Sequence, residues 1–381
     1  MLKRHLIAIF LLSILGLLIY SNSFHCSFHF DDHRCIVENL AIHRFDLKAI
    51  LKSPRPVLDF TFALNYALGE LNVFGYHLVN VTLHILNAIF IYFILFYTLK
   101  WPVNQFYQKK SWEIPFYTAL LFIAHPIQTQ AVTYISCRSS VLATFFYLLA
   151  LFLFIKSFFS KRKNLYIVGT FLASCLGMGT KAIATTLPAM LLLYDYYFIA
   201  DKNIKQMLPR LKIHALFFLT ISISIYTKLS YLKEHTCLTP GKVVMLYDKT
   251  TLNSYQYFLT QLHVIFYYIK LLFLPINLNL DYDFPITRTL DFCTFACFLG
   301  LTFLIALAIR ISNKYRLLSF AILWFFITLS VTSSFFVIVD VIFEHRLYLP
   351  SFGFCLFLSL AIIKVSHLLT EFLKNKLQTQ G

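Results

Sequence analysis

Long apolar runs separated by short polar segments dominate the pattern of this chain. The first run, residues 5–22, follows Lys3 and Arg4 and has no small-residue cleavage site behind it, so we interpret it as an uncleaved helix. Further apolar runs lie near residues 76–99, 114–124, 139–159, 165–179, 183–200, 213–230, 291–310, 317–337 and 348–367. At about 1.5 Å per residue, each except 114–124 is long enough to cross a bilayer alone or with a tilt. The pattern predicts an all-α integral membrane protein with about ten transmembrane helices.

Residues 255–274 form one more apolar run, which does not fit this series. The segments on both sides of it are expected to face outward, so we predict that it is a re-entrant or interfacial segment. The sequence contains no tetratricopeptide-like repeats and no stretch typical of a soluble domain. We therefore assign residues 1–368 to one polytopic membrane domain and residues 369–381 to a short cytoplasmic tail.

Composition and charge support the membrane assignment and give it an orientation. Of the 381 residues, 59% are hydrophobic and 13% are charged, a balance too apolar for a soluble core to bury. The net charge of +16 comes largely from basic clusters in short loops, as in 161–163 and 202–212, and such clusters mark cytoplasmic loops. Ten crossings place every cluster inside, with both termini cytoplasmic. The charge therefore does not indicate a nucleic-acid partner, and we expect none.

The outward-facing segments hold nearly all the remaining polar residues, so we expect the functional site there. These segments are residues 23–75, 125–138, 180–182, 231–290 and 338–347. Directly after the first helix, Asp31 and Asp32 place two adjacent carboxylates just beyond the membrane surface. A carboxylate at a partly dehydrated interface has a raised proton affinity and can take a proton from an acceptor hydroxyl. A solvated loop that caps a helix is the alternative interpretation of this pair.

His25, His29 and His33 lie in the same loop as the two aspartates, and together these residues could hold a divalent metal. Three histidines in a loop of unknown shape specify no coordination geometry. We therefore assign no metal site and expect no cofactor, while a divalent metal stays possible. Cys26 and Cys35 share this loop and could either pair in an oxidising compartment or remain two thiols.

Polar residues also occur inside the second apolar run. His77, Asn80 and His84 follow i, i+3, i+7 spacing and therefore share one helical face. Polar groups inside a bilayer are costly, so this face indicates a cavity or a helix–helix contact. We predict that the three side chains line a cavity. Interhelical hydrogen bonding is the alternative, and for Asn80 and His84 it fits the pattern at least as well.

A short apolar run ends at His125 and Pro126, and a polar loop follows it as far as Arg138. This pattern predicts a broken helix. Non-helical backbone at membrane depth is tolerated only where protein or a water-filled cavity covers it, so His125 and the loop should line the same outer cavity as Asp31. Arg138 could bind a phosphate bidentately there, or it could extend to the membrane interface.

More charged residues lie in the other outward-facing segments. Lys181 lies between two apolar runs, Asp281 lies in a polar segment, and Glu344, His345 and Arg346 precede the last run. We expect Asp281 and Glu344 to line the cavity. Cations from distant chain positions on one side would suit a dianionic phosphate leaving group, because its departure requires charge neutralisation. Each cation alone could instead be an interfacial anchor.

Short motifs follow one another nearly from end to end of the chain. They are Asn22-Ser23-Phe24 with Phe30-Asp31-Asp32, Arg55-Pro56, Leu64-Asn65-Tyr66, Tyr76-His77-Leu78-Val79-Asn80 with Leu83-His84, His125-Pro126-Ile127-Gln128-Thr129-Gln130-Ala131-Val132 with Arg138, Leu274-Pro275 with Leu278, and Glu344-His345-Arg346-Leu347-Tyr348-Leu349-Pro350-Ser351. Each motif alone is weak, but their order and spacing are specific. Together they resemble the membrane domain of the transmembrane and tetratricopeptide-repeat-containing O-mannosyltransferases and their bacterial homologues.

The resemblance implies a multi-span glycosyltransferase C fold and a catalytic carboxylate in the first outer loop, on Asp31 or Asp32. The cations that bind the donor phosphate would be Arg55, Arg138, Lys181, His345 and Arg346. The last motif resembles the bacterial branch, which favours a bacterial plasma (inner) membrane with the active site facing outward.

Two features depart from the family pattern. Members commonly have an acidic residue after the lysine of the outer loop, whereas this chain reads Lys181-Ala182, so the salt bridge that would hold this lysine is not expected. The repeat domain of the family is also not found in this sequence. This absence puts the choice of acceptor, and activity itself, in doubt.

These observations lead to one hypothesis and two alternatives. We expect an inverting glycosyltransferase that moves a sugar from a polyprenyl-phosphate donor in the lipid bilayer to a hydroxyl of a protein or glycan acceptor. Mannose as the transferred sugar is implied by the resemblance to the family and is not deduced from the residues. A lipid-linked-sugar flippase is the alternative from another class, although no internal inverted repeat supports it. An inactive membrane scaffold is the third possibility.

Overall fold

The computed structural model describes residues 2–235, 252–335, 337–338 and 340–378. In this part of the chain 78% of the residues are helical and no strand occurs, which confirms the predicted all-α class. The helices are α1 (Leu2–Ile19), α2 (Leu40–His43), α3 (Leu47–Lys52), α4 (Pro56–Gly69), α5 (Val73–Thr98), α6 (Glu113–Ala124), α7 (Thr129–Thr133), α8 (Arg138–Ser157), α9 (Lys163–Met178), α10 (Leu187–Tyr194), α11 (Ile204–Met207), α12 (Leu211–Leu219), α13 (Ile221–His235), α14 (Ser254–Phe273), α15 (Phe292–Ile311), α16 (Arg316–Leu329) and α17 (Ser351–Gln378).

Every predicted membrane span coincides with a helical stretch. Seven such stretches among the described residues are long and apolar enough to cross a membrane: Leu2–Ile19, Val73–Thr98, Ile135–Ser157, Ala182–Ile199, Ile204–Leu229, Phe292–Ile311 and Ser351–Leu373. The other three predicted spans fall on α6, α9 and α16, which have 12, 16 and 14 residues. α16 ends before the predicted boundary because Ser330 to Ser334 are Ser, Thr and Val, which favour helices less than Leu or Ala do.

The last helix extends past residue 368, the predicted end of the membrane domain. α17 continues to Gln378, so most of the predicted tail belongs to the same helix. This segment is rich in Leu and Lys and contains neither Gly nor Pro, so nothing in it ends a helix. α17 packs very closely on α16 at Gly353, where a Cβ atom would lie 2.3 Å from the carbonyl oxygen of Ala321.

The helices divide into a buried centre and an apolar periphery. In the spans that contain α5, α8 and α10, 50%, 67% and 61% of the residues are buried, against 17–22% in α1, α12–α13 and α15. The exposed side chains of the peripheral helices are mostly Leu, Ile and Phe. Lipid tails are as apolar as these side chains, so this surface fits a bilayer. The polar site must therefore lie at the ends of the central helices.

The apolar run 255–274 forms one uninterrupted helix, α14. It packs beside the segment that precedes α17: the Tyr257 hydroxyl donates to the Thr332 carbonyl at 2.7 Å, and the Tyr268 hydroxyl donates to the Phe343 carbonyl at 3.0 Å. Leu274 and Pro275 follow its last residue. The re-entrant or interfacial placement of this helix stays a prediction, because it concerns the bilayer.

The first loop, between α1 and α5, folds into three short helices. Asn39 and Asp46 cap α2 and α3, because their side chains accept hydrogen bonds from backbone N–H groups of the first turn. The chain reverses at Phe30, which has a φ of 44°. This reversal places Asp31 and Asp32 at the start of a π-helical turn, His33–Val37.

Candidate active site

A cleft of about 350 Å³ opens between four segments that are distant in sequence. The first loop contributes Asp32, the break after α6 contributes Gln130 and Tyr134, the segment after α14 contributes Asn279, and the turn before α17 contributes Glu344. The predicted break is confirmed: α6 ends at Ala124, a 3₁₀ turn and α7 follow, and a second 3₁₀ turn, Ile135–Cys137, leads into α8. The broken helix therefore lines the same cleft as the first loop.

Asp32 is the carboxylate of the first loop that faces the cleft. It is 1% exposed, and its Oδ1 and Oδ2 accept hydrogen bonds from the backbone N–H groups of Ser136 at 2.7 Å and His29 at 3.1 Å. Burial raises the pKa of Asp32, while the two backbone donors oppose this shift. Such a carboxylate is fixed in position and has an increased proton affinity, which suits a general base.

Asp31 differs from Asp32 in its exposure, its position relative to the cleft and its hydrogen bonding. It is exposed and is not part of the cleft lining, and its backbone N–H donates to the Tyr134 hydroxyl at 2.8 Å. Of the two aspartates that the sequence leaves equivalent, the structure therefore places only Asp32 in a position to act as a base in the cleft.

Glu344 provides a second buried carboxylate in the cleft. It is 2% exposed, and its Oε1 accepts hydrogen bonds from the Asn279 backbone N–H at 2.6 Å and from the Tyr282 hydroxyl. Burial raises the pKa of Glu344. Asp281, which was expected to line the cavity as well, is exposed and lies outside the cleft lining.

Lys181 and Arg346, from distant chain positions, line one small cavity beside the cleft, and Arg55 is near enough to influence the charge of Lys181; we name these three residues the cation cluster. Burial, together with the nearby charges of Arg55 and Arg346, lowers the pKa of Lys181 to about 7. The Lys181 ammonium donates to Ser140 Oγ at 2.7 Å, so a hydroxyl takes the place of the acidic partner that the Lys181-Ala182 sequence lacks. The same cations and burial hold the pKa of His345 well below its ordinary value.

The short turn Ile135–Cys137 connects the carboxylate side of the site to the cation side. The backbone N–H of Ser136 holds Asp32, and Sγ of the next residue, Cys137, lies 3.4 Å from Nδ1 of His345. His345 and Arg346 in turn follow Glu344 directly in the chain. A base and a cluster of cations are therefore neighbours, as a transfer reaction with an anionic leaving group requires.

The structure does not bring Arg138 to these cations. Its guanidinium is fully buried and donates to Asn80 Oδ1 at 2.7 Å, to Asn65 Oδ1 at 2.6 Å and to the Tyr76 carbonyl at 3.0 Å. The ring of Phe62 covers it at 4.5 Å. The guanidinium therefore ties α4, α5 and α8 together, and the phosphate-binding role predicted for it has no support in this geometry.

The polar face of α5 lies in the interior and does not line the cleft. His84 hydrogen-bonds with the Tyr348 hydroxyl at 2.6 Å and contacts the Ile123 carbonyl at 3.3 Å, while Asn80 holds Arg138. His77 hydrogen-bonds with the carbonyl of Cys26 at 3.0 Å. These contacts of His77, Asn80 and His84 match the alternative left open by the sequence, in which polar groups join neighbouring segments. His125, which was expected to line the cavity, lies outside the cleft lining, and it hydrogen-bonds with the Leu272 carbonyl at 2.9 Å.

The first loop does not gather a metal-binding group in the residues that the structure describes. Nowhere among them do three or more His, Cys, Asp or Glu side chains come together as a metal ion requires. Cys26 and Cys35 are both free thiols.

Gln130 is a cleft residue to which the sequence pattern assigns no particular role. Its Oε1 accepts a hydrogen bond from the His345 backbone N–H at 2.7 Å, and its Nε2 donates to the Leu280 carbonyl at 2.8 Å. One side chain thus joins three of the segments that form the cleft. The break after His125 indicates where such a residue lies, but its partners are more than a hundred residues away and no local pattern names them.

Comparison with known proteins shows that the chain is similar in sequence to one group of relatives. The chain is 29% identical over 325 residues to protein O-mannosyl-transferase F38B6.6 of Caenorhabditis elegans, covering 83% of this chain and 43% of that protein. It is 34% identical over 236 residues to protein O-mannosyl-transferase TMTC2 of Mus musculus, covering 56% of this chain and 27% of that protein. It is 36% identical over 155 residues to TMTC3 of the same species, with 36% and 16% coverage.

The resemblance indicated by the motifs is therefore confirmed as a similarity that covers the membrane part of the chain. The chain spans less than half the length of these relatives. No family model matches the chain, and no solved structure matches it. The likeness to the glycosyltransferase C fold stays a prediction.

Proposed function

We propose that this chain is a glycosyltransferase of the C type, which moves a sugar from a polyprenyl-phosphate donor to a hydroxyl of a protein on the outer face of a membrane. The observation that carries this proposal is the position of Asp32, a buried carboxylate in a cleft, next to the cation cluster. The relatives are named protein O-mannosyl-transferases, which supports mannose as the sugar and protein as the acceptor.

In the proposed reaction, Asp32 accepts the proton of the acceptor hydroxyl as its oxygen bonds to the anomeric carbon of the sugar. The bond from that carbon to the phosphate oxygen breaks, and its electron pair leaves with the polyprenyl phosphate. Attack from the face opposite the phosphate inverts the anomeric configuration. The raised pKa of Asp32 increases its ability to hold the proton, and the cation cluster stabilises the charge that develops on the phosphate.

The membrane placement is part of the same proposal. The apolar surface of the peripheral helices fits a bilayer, where we expect a lipid-soluble donor to reside. We place both termini in the cytoplasm and the cleft on the outer side, on the strength of the basic loops. The choice of a bacterial plasma membrane is based only on the motif from Glu344 to Ser351.

Transfer of labelled mannose from polyprenyl-phosphate mannose to an acceptor peptide, by protein purified in detergent, tests the proposal. Asp32→Asn should lower kcat by roughly 10²- to 10⁴-fold, the usual contribution of a general base, with donor binding retained. Asp31→Asn is the matched control and should stay within a few-fold of the parent, because its side chain lies outside the cleft.

If Asp32→Asn turns over as fast as the parent, Asp32 is not the general base. If the parent binds the donor without transferring its sugar, assays in vesicles distinguish the remaining possibilities. Movement of the donor between leaflets that survives Asp32→Asn would identify a flippase. No movement and no transfer would identify an inactive scaffold.

A further inference from the structure

The amide of Gln130 has only one orientation that satisfies its partners. One side chain atom faces the His345 backbone N–H at 2.7 Å and must be an acceptor, while the other faces the Leu280 carbonyl at 2.8 Å and must be a donor. The first atom is therefore Oε1 and the second is Nε2. The orientation follows from two backbone groups whose roles are fixed.

This orientation determines which nitrogen of the His345 ring carries the proton. Nδ1 lies 3.2 Å from the same Oε1, and an amide oxygen can only accept, so Nδ1 carries the hydrogen. Cys137 Sγ also lies on this edge of the ring, 3.4 Å from Nδ1. Nε2 is then unprotonated, and it has no hydrogen-bond partner among the described residues. The charges facing the ring, those of Lys181, Arg346 and Arg55, oppose a positive charge on it and keep it neutral.

His345 also lines a small cavity that contains one more unused polar group. Because Gln130 and Cys137 occupy the Nδ1 edge of the ring, we assign Nε2 to the side that faces this cavity. This cavity has a volume of about 10 Å³ and is lined by Lys181, His345, Arg346 and Thr144. Thr144 is 1% exposed, and its hydroxyl oxygen has no hydrogen-bond partner. A cavity of this volume holds about one oxygen atom. It therefore presents cations, one free hydroxyl and one free acceptor to a single oxygen.

A phosphate oxygen does not satisfy this set of groups. It can only accept hydrogen bonds, whereas the unprotonated Nε2 of His345 also only accepts, and the two lone pairs would face each other. A hydroxyl satisfies both sides: its hydrogen donates to Nε2, and its oxygen accepts from Lys181 or Thr144. In a glycosyl phosphate, the hydroxyl that can lie beside a cluster holding the phosphate is the one on the sugar carbon next to the anomeric carbon.

We propose that the Gln130–His345 pair recognises the sugar of the donor. Gln130 acts as a positioning residue that keeps the proton of His345 on Nδ1, and Nε2 accepts a hydrogen bond from the sugar hydroxyl adjacent to the phosphate-bearing carbon. This inference rests on the proposed function and adds to it a residue that selects the donor. It also changes the role of His345, which recognises a hydroxyl as a neutral ring and does not bind phosphate as a cation.

The test compares two donors, polyprenyl-phosphate mannose and its 2-deoxy analogue. The parent protein should prefer the hydroxylated donor by roughly tenfold in kcat/KM, the value of one hydrogen bond in a buried site. His345→Phe should lose this preference, and His345→Gln, which restores an acceptor, should recover part of it. Gln130→Met should reduce the preference, because Nδ1 is then no longer held.

Gln128→Met is the matched control for the Gln130 variant. Gln128 lies two residues earlier, in the preceding 3₁₀ turn, is also buried, and donates to Ser351 Oγ at 2.8 Å instead of contacting His345 through a hydrogen bond. It should keep the parent preference. Loss of the preference in this control to the same extent as in Gln130→Met would show a general effect of disturbing the broken helix and would overturn the proposal.

A pH series provides a measurement that a purely structural role would not change. In the parent the preference should persist as the pH falls to the ordinary histidine pKa of about 6.5, because burial and the neighbouring cations keep His345 neutral there. Gln130→Glu places a carboxylate against Nδ1 and favours the charged ring, so the preference should disappear as the pH falls and Nε2 gains a proton. A preference in Gln130→Glu that is independent of pH would contradict the tautomer argument.

Failure of this inference can be told apart from failure of the proposed function. Transfer from both donors with equal efficiency by the parent overturns the inference alone. If the parent transfers neither sugar, the proposed function fails, and competition between the two donors for binding still tests the inference. Equal binding in that experiment overturns it, and tighter binding of the hydroxylated donor that is lost in His345→Phe supports it.

Discussion

The buried guanidinium of Arg138 allows a direct test of whether a residue acts through stability or through the donor. We predict that Arg138→Met destabilises the folded protein and has no specific effect on donor affinity. The substitution leaves the acceptors on Asn65, Asn80 and Tyr76 without their donor, inside the helix bundle. All three atoms face a side chain that is shielded from bulk solvent, so their loss of a donor is not readily compensated.

The expected loss of folding free energy follows from these hydrogen bonds. A hydrogen bond from a charged donor contributes about 1.5–3 kcal/mol, so three short ones represent roughly 4.5–9 kcal/mol in gross terms. Burying the charge costs several kcal/mol, and hydrogen bonds between membrane helices often contribute less than in water. The net loss for Arg138→Met should therefore be about 3 kcal/mol. Arg138→Lys keeps the charge but not the planar fork, so its loss should be intermediate.

Unfolding by sodium dodecyl sulfate in mixed micelles, followed by tryptophan fluorescence, measures this free energy. Arg55→Met is the matched control because Arg55 is exposed and belongs to the cation cluster. It should change the free energy of unfolding by less than about 0.5 kcal/mol and raise the KM for the donor. The opposite pair of results, a stable Arg138→Met with a raised donor KM and a destabilised Arg55→Met, would refute this reasoning and restore Arg138 as a phosphate ligand.

Two further predictions concern the charged residues Lys181 and Asp195. Lys181, whose pKa is lowered to about 7, is protonated below that pH and loses its charge above it, so the KM for an anionic donor should rise between pH 6 and 8. Lys181→Arg should remove this dependence, and an unchanged pH profile in that variant would contradict it. Asp195 is fully buried and accepts hydrogen bonds from Arg210 at 2.6 and 2.8 Å and contacts His214 at 2.8 Å. Asp195→Asn leaves Arg210 and His214 without a carboxylate partner, so the free energy of unfolding should fall by about 3–5 kcal/mol in the same assay, with no change in donor KM. A variant as stable as the parent would show that this buried ion pair does not stabilise the fold.

The sequence predicts the helical architecture well because the period and length of apolar runs are local properties. All ten predicted spans lie on helices, and the break after His125 appears where Pro126 and the polar loop indicate it. α17 continues beyond residue 368, the predicted end of the membrane domain, because nothing in the following residues ends a helix.

The site is predicted only in part, and the reason differs from residue to residue. Asp32 and Glu344 both line the cleft, but adjacent carboxylates such as Asp31 and Asp32 look equivalent until the turn at Phe30 directs one inward. Arg138 was predicted to bind phosphate because it is a cation near a predicted cavity. Its guanidinium instead donates hydrogen bonds to two asparagine side chains and one backbone carbonyl.

The amino-acid sequence by itself determines that this is an all-α membrane protein, which segments carry its polar chemistry, and which family it resembles. These properties depend on composition, periodicity and motif order, all of which are read along the chain. The tertiary structure decides which aspartate faces the cleft, which cations meet, and which nitrogen of His345 is free. Those outcomes depend on contacts between residues that are often more than a hundred positions apart, such as Gln130 with His345, and a one-dimensional pattern contains no information about their distance.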